Sequence, residues 1–158
     1  MTRIFLFDWG NTLMVDIPGQ VGKMRDWPEV KAVDGAAAAL ERLSRECTIY
    51  VATNAIESHE NDIKAALERV GLAQYISGYF CRANVGIGKG SQDYYQAIVD
   101  ALGIEADEAT MVGDSYQNDI APALQAGLNA IWLRPGGDFK RNVADLRVIT
   151  NLRELCTP

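Results

Sequence analysis

Cysteine, positive charge and long apolar runs are all scarce in this sequence, and each scarcity removes a class of protein. The three cysteines, Cys47, Cys81 and Cys156, are odd in number and lack metal-type spacing. Neither a disulfide framework nor a thiolate metal site is expected, and each reads as a small apolar filler in a reducing compartment. No stretch approaches the roughly 20 apolar residues of a membrane span, and Met1-Thr2-Arg3 runs straight into a strand-like segment in place of a signal-peptide core. The expectation is a soluble, cytoplasmic protein with no membrane partner. Fifteen Lys and Arg against 21 Asp and Glu leave a net charge of -6, which argues against the basic surface that a broad nucleic-acid footprint needs.

What is present is apolar bulk in a regular order. With 158 residues, 48% of them hydrophobic, the chain is long enough for one domain with a real core, taken as residues 1–158. Five apolar, β-rich runs recur: Ile4-Phe5-Leu6-Phe7, Thr48-Ile49-Tyr50-Val51-Ala52, Gly78-Tyr79-Phe80-Cys81, Thr110-Met111-Val112 and Ala130-Ile131-Trp132-Leu133. Their continuity, without polar alternation, suits strands of a parallel sheet covered on both faces. Between them, Val33, Ala36, Ala37, Leu40 and Leu43 form an apolar stripe at helical spacing, as do Ile63, Ala66, Leu67 and Val70, and then Tyr94, Tyr95, Ile98, Ala101 and Leu102. Asp34 and Ser91 stand where N-caps belong, and Gly71, Gly103 and Gly127 where helices end. Strand alternating with helix predicts a doubly wound, mostly parallel, Rossmann-like α/β sheet of five or six strands with helices on both faces. "ADLRVITNLREL" would add a last short strand and helix at the edge, while residues 14–32, 82–91 and 134–147 read as irregular.

Ligands of such sheets bind beyond the carboxyl ends of the strands, and the residues there are polar. Asp8 follows the first run, Thr53 and Asn54 the second, and Gly113-Asp114 the fourth, with Asp119 five residues further on. Each alone has a structural reading as a turn, a cap or a strand end; it is their joint placement that points to chemistry. Three carboxylates meeting at one edge make a hard oxygen site of the kind Mg²⁺ takes when it shares a phosphate. Lys89, in "NVGIGKGSQDYY", precedes the third stripe; Gly90 separates it from Ser91, so the segment is not a P-loop. It reads instead as a lone cation reaching the same edge.

The ordered set "FDWGNTL", "IYVATN", "GKG" and "MVGDSYQND" resembles the four motifs of the haloacid dehalogenase-like hydrolase superfamily, over nearly the whole chain. The resemblance implies a Mg²⁺-dependent phosphatase in which Asp8 attacks phosphorus and carries an aspartyl-phosphate. The ion would be held by the Asp8 carboxylate, the Gly10 carbonyl and Asp114, with Asp119 in or near its shell. Thr53 would bind a phosphoryl oxygen, Asn54 would be a further donor, and Lys89 would both bind phosphate and balance charge in catalysis.

One position departs from the motif: Gly10 stands where phosphatases of the family carry a second aspartate, which protonates the leaving group and activates water. Its loss weakens turnover by about 10²- to 10⁴-fold without removing the nucleophile. His59, the one histidine, is the first candidate to replace it and Asp16 a weaker one. The short spans from Asp8 to Thr53 and from Lys89 to Asp114 leave no room for a large cap domain, with residues 14–32 a candidate flap carrying Lys23, Arg25 and Trp27 to the site. Arg134, Lys140 and Arg141 form a second basic cluster that could border the cleft. Capless relatives act on large substrates or borrow a neighbouring subunit as a lid, so a phosphorylated substrate of either size and a homo-oligomer are both compatible. Two alternatives stay open: a phosphate- and metal-binding protein with a regulatory or structural role and little turnover, and a receiver-type signalling module, disfavoured because Arg82 stands where its phosphorylated aspartate would follow the third strand.

Overall fold

In the computed structural model, residues 3–136 and 146–156 are described. The strands are β1 (Ile4–Phe7), β2 (Thr48–Ala52), β3 (Gly78–Phe80), β4 (Ala109–Gly113), β5 (Asn129–Leu133) and β6 (Arg147–Ile149). Between them run α1 (Ala36–Leu43), α2 (Glu60–Glu68), α3 (Arg82–Val85), α4 (Gln92–Leu102) and α5 (Ala121–Gln125). Every neighbouring pair is parallel, in the order β3-β2-β1-β4-β5-β6. β1 is central, with Phe7 in register with Val51 on one side and Val112 on the other. Sequence order reverses between β1 and β4, and at such a switch point the loops leave in opposite directions and open a crevice at the carboxyl ends.

Alternate residues of β1 face opposite layers. Phe5 and Phe7 pack with Ala36, Ala39 and Leu40 of α1 and Ile63, Ala66 and Leu67 of α2. Ile4 and Leu6 pack with Tyr94, Tyr95, Ile98 and Val99 of α4 and Ala123 of α5. Each of these large apolar side chains contributes about 1.5–3 kcal/mol by leaving water, which is why the apolar continuity of the strands specifies a covered sheet. The expected caps form at Ser91, whose hydroxyl accepts the Asp93 N–H at 3.1 Å, and at the left-handed Gly71, Gly103 and Gly127.

Some expectations are corrected. Asp34 does not cap α1; Gly35 occupies that position, and the Asp34 carboxylate turns away to Arg153 at 2.8 Å and Asn151 at 3.0 Å. The stretch 82–91 is not wholly irregular, because α3 fills its first turn. After β6 the chain closes as a 3-10 segment, Leu152–Cys156, packed on α1. Lys140 and Arg141 of the second basic cluster lie outside the described residues.

Candidate active site

β1 runs buried up to Phe7 and then delivers Asp8, whose backbone N–H donates to the Val112 carbonyl at 2.9 Å and so extends the β1–β4 pairing into the site. β4 ends at Gly113 and delivers Asp114, while a π-helical turn over Tyr116–Ile120 carries Asp119 back toward the strand. A Cβ at Gly113 would fall on the Asp119 carboxylate. Glycine at the end of β4 is therefore what lets Asp119 fold over it.

Lys89 joins these elements. Its ammonium, with the side chain 1% exposed, lies 2.8 Å from Asp8 Oδ1 and 2.7 Å from Asp119 Oδ1. The other Asp119 oxygen accepts the Ser115 N–H at 3.0 Å, and the other Asp8 oxygen accepts the Thr12 hydroxyl at 3.0 Å, with Asp114 Oδ1 at 3.4 Å from the same hydroxyl. The Lys89 backbone is fixed in turn by Asn54, whose Oδ1 accepts its N–H at 2.9 Å. Asn54 thus spends its carbonyl on positioning Lys89. Thr53 is buried after β2; its Oγ1 accepts the Ala55 N–H at 3.1 Å, which leaves its hydroxyl proton to give.

Asp8, Asp114 and Asp119 each place a carboxylate oxygen within 4.8 Å of the others. Against three carboxylates stands one ammonium, so the fully ionised group carries excess negative charge in a largely dry setting. The consequences are seen in the proton affinities. Burial pushes Asp114 well above the ordinary carboxylate range, with Asp8 adding to it. Burial and then the charge of Asp8 push Asp119 up despite Lys89. Burial opposes the charge on Lys89, yet Asp8 and Asp119 together raise its pKa. A hard divalent cation fits this donor set: all-oxygen ligands, a charge deficit that it would remove, and Gly10 on the same cleft wall with a carbonyl to offer.

Sequence reasoning missed some supporting residues. Tyr94 and Tyr95 look like core positions of a helical stripe, and they are fully buried. Their hydroxyls, however, hold the site loops: Tyr94 donates to the Thr53 and Phe80 carbonyls, each at 3.1 Å, and Tyr95 to the Asn118 carbonyl at 2.6 Å. Trp132 Nε1 donates to the Asp114 carbonyl at 3.1 Å, and Arg134 stacks over that indole at 4.4 Å. The available signal was a pair of tyrosines, in place of phenylalanines, on a buried face.

A cleft of about 570 Å³ opens beside Asp8, walled by Trp9, Gly10, Asp16, Met24, Trp27, Thr53, Asn54 and the loop after them. Lys23 and Arg25 do not enter it. They pair with Asp62 of α2 at 3.0 and 3.2 Å, while Arg69 donates to the Arg25, Trp27 and Pro28 carbonyls. His59 is not on this wall either; it stands exposed at the N-cap of α2 and borders a separate hollow with Cys81 and Asn84.

A parallel α/β sheet with a carboxylate–lysine site at its switch point defines the class. Within it, residues 17–127 match the haloacid dehalogenase-like hydrolase family, and the chain belongs to that family. It is 30% identical over 103 residues to a phosphoserine phosphatase from Thermus thermophilus, an alignment covering 65% of this chain and 40% of the relative. The chain therefore spans well under two thirds of that relative's length. A structure of an uncharacterized protein from Listeria monocytogenes superposes with a TM-score of 0.81 at 25% identity, covering 98% of this chain and 94% of the other. The magnesium-bound structure of the HAD-type protein YfnB from Bacillus subtilis gives 0.76 at 18% identity, with coverage of 98% and 96%, and shares the fold.

Proposed function

We propose that this chain is a Mg²⁺-dependent phosphatase that hydrolyses phosphate monoesters through an aspartyl-phosphate on Asp8. The observation that carries the reading is the buried junction at Lys89, which holds Asp8 and Asp119 within 2.8 Å of one ammonium at the mouth of the sheet. A structural ion pair could be built anywhere; this one sits where strand ends deliver Asp8 and Thr53 to a cleft, with Asp114 close to Asp8 after the end of β4. The phosphatase activity carried in the name of the Thermus relative supports the same class of substrate.

Mg²⁺, held by the Asp8 carboxylate, the Gly10 carbonyl and Asp114 with Asp119 beside them, would offset the repulsion between an anionic nucleophile and an anionic phosphoryl group. Thr12 and Lys89 hold the Asp8 carboxylate from both oxygens, which fixes its approach to phosphorus. The Thr53 hydroxyl and the Asn54 amide lie on the cleft wall and would donate to phosphoryl oxygens, while Lys89 balances the charge that builds there. The cleft has no lysine or arginine among its described lining residues and is walled by Trp9, Met24, Trp27 and Ile56 with Asp16 and Glu57. Such a wall suits a monoester with a neutral or cationic, partly apolar leaving group better than a polyanion. Residues 14–32 act as a fixed rim in place of a cap. No helix among the described residues is long and apolar enough to cross a membrane, and three cysteines without metal-type or disulfide-framework spacing accord with the cytoplasm as its compartment.

The test is Mg²⁺-dependent phosphate release from a panel of sugar phosphates, nucleotides, amino-alcohol phosphates and an aryl phosphate, with Asp8→Asn as control. Turnover abolished in the variant is expected. The second reading, a metal- and phosphate-binding protein with a regulatory or structural role, is favoured by Gly10; binding of both without turnover across the panel would establish it instead.

A further inference from the structure

We infer that Asp16 is the proton donor and acceptor of this hydrolysis, in place of the side chain that Gly10 lacks. The inference rests on Asp8 being the nucleophile. Breaking the P–O bond of an alkyl phosphate leaves charge on the departing oxygen, and a well-placed acid is worth about 10²- to 10⁴-fold there. The acids of the cluster are already committed: Asp8 to phosphorus, Asp119 to Lys89 and the Ser115 N–H, Asp114 to the oxygen cluster. What remains is the cleft wall, where Asp16 stands with Asp8 and Gly10.

The geometry favours Asp16 over the other acid of that wall. A Cβ built at Gly10 would have one neighbour within 4 Å, the Cβ of Asp16 at 4.0 Å. The Asp16 side chain therefore starts beside the point from which a side chain at position 10 would start. Glu57 comes from the loop beyond Thr53, on the side where phosphoryl oxygens would be held. The loop also fixes the Asp16 backbone. Asn11, in the left-handed region at φ 60°, accepts the Asp16 N–H on its Oδ1 at 3.0 Å. The next residues are pinned on both sides, by the Asn11 N–H on the Met14 carbonyl and the Val15 N–H on the Lys31 carbonyl. Yet no hydrogen bond or ion pair among the described residues engages the Asp16 carboxylate, which stands exposed in the cleft. A held backbone with a free carboxyl is what a group that must give and regain a proton in each turnover requires.

The steps balance. An Asp8 oxygen bonds to phosphorus as the bond to the leaving oxygen breaks; that oxygen keeps the electron pair and takes the Asp16 proton. A water oxygen then bonds to phosphorus as the bond to Asp8 breaks, and the Asp16 carboxylate takes the proton that the water loses. One water is consumed, alcohol and phosphate leave, and both aspartates return to their starting states.

The experiment compares kcat/KM, with Mg²⁺, for a primary alkyl phosphate and p-nitrophenyl phosphate, whose leaving group needs no proton. The proteins are wild type, Asp8→Asn, Asp16→Asn, Glu57→Gln and the double variant Asp16→Asn, Gly10→Asp. In Asp16→Asn, kcat/KM for the alkyl ester is expected to fall about 10²- to 10⁴-fold and for the aryl ester far less, and Gly10→Asp is expected to return most of the alkyl activity. No alkyl loss, an equal loss on both esters, or the alkyl-selective loss in Glu57→Gln instead would overturn the assignment while leaving Asp8 in place. Turnover that Asp8→Asn does not abolish would overturn the phosphatase reading itself, and the assignment with it.

Discussion

Two glycines at the site have opposite meanings. Gly113 meets the Asp119 side chain so closely that a methyl group would displace it, whereas Gly10 faces open space up to Asp16. Gly113→Ala is expected to cost about 1–3 kcal/mol of stability and, by shifting Asp119 and its hold on Lys89, to lower turnover on the order of 10²-fold. Gly10→Ala should be neutral or stabilise by about 0.4–1 kcal/mol through the unfolded chain. Denaturant melts of the two variants check both. Lys89→Met leaves Asp8 and Asp119 facing each other without their counter-charge, so a loss of about 3–5 kcal/mol is expected in metal-free buffer. Asp8, Thr53 and Asp114 were legible in the sequence because each stands at the end of an apolar run, and Lys89 and Asp119 through the order of the motifs around them. Tyr94 and Tyr95 were not: their hydroxyls bond to atoms far along the chain, and nothing in a local pattern reports such a partner.

At the scale of elements, the strands were legible because a covered parallel strand must be apolar on both faces, and the helices because their stripes repeat at helical spacing. The segment 14–32 was not, since what holds it lies elsewhere. Arg69 of the α2 C-terminus binds three of its carbonyls, and Asp62 of α2 takes Lys23 and Arg25. The lysine and arginine that looked available for a phosphate are thereby consumed in fastening the rim, and Met24 and Trp27 reach the cleft in their place. The backbone N–H of His59, then Lys23 and Arg25, hold the Asp62 carboxyl down at about 2 against an ordinary value of 3.8. A group depressed in the folded state stabilises above its unfolded value, and that contribution is lost as pH falls from about 4 toward 2. Asp62→Asn is expected to remove this acid limb from the stability–pH profile and to speed amide exchange at residues 24–27, with α1 and β1 unchanged; retained protection there would contradict the fastening role.

For the molecule as a whole, the strand order places the chemistry. β1 and β4 lie side by side at the reversal, so residues more than a hundred positions apart, Thr12 and Asp114, meet through one hydroxyl. The alternation of strand and helix predicts a parallel, doubly wound sheet through the right-handed crossover rule, while the order of its strands is read from the structure; at the edge, β6 is only three residues long and followed by a 3-10 segment. The two layers that bury β1 hold Asp8 on a rigid strand end, which is what a nucleophile needs if its approach is to be set before substrate arrives. The most direct measurement is a rapid acid quench of the protein with Mg²⁺ and a phosphate ester labelled in its phosphoryl group, followed by peptide mapping. The account predicts transient, hydroxylamine-sensitive label on the peptide that contains Asp8, absent from Asp8→Asn. Turnover without labelled protein, or label that persists in Asp8→Asn, would contradict it.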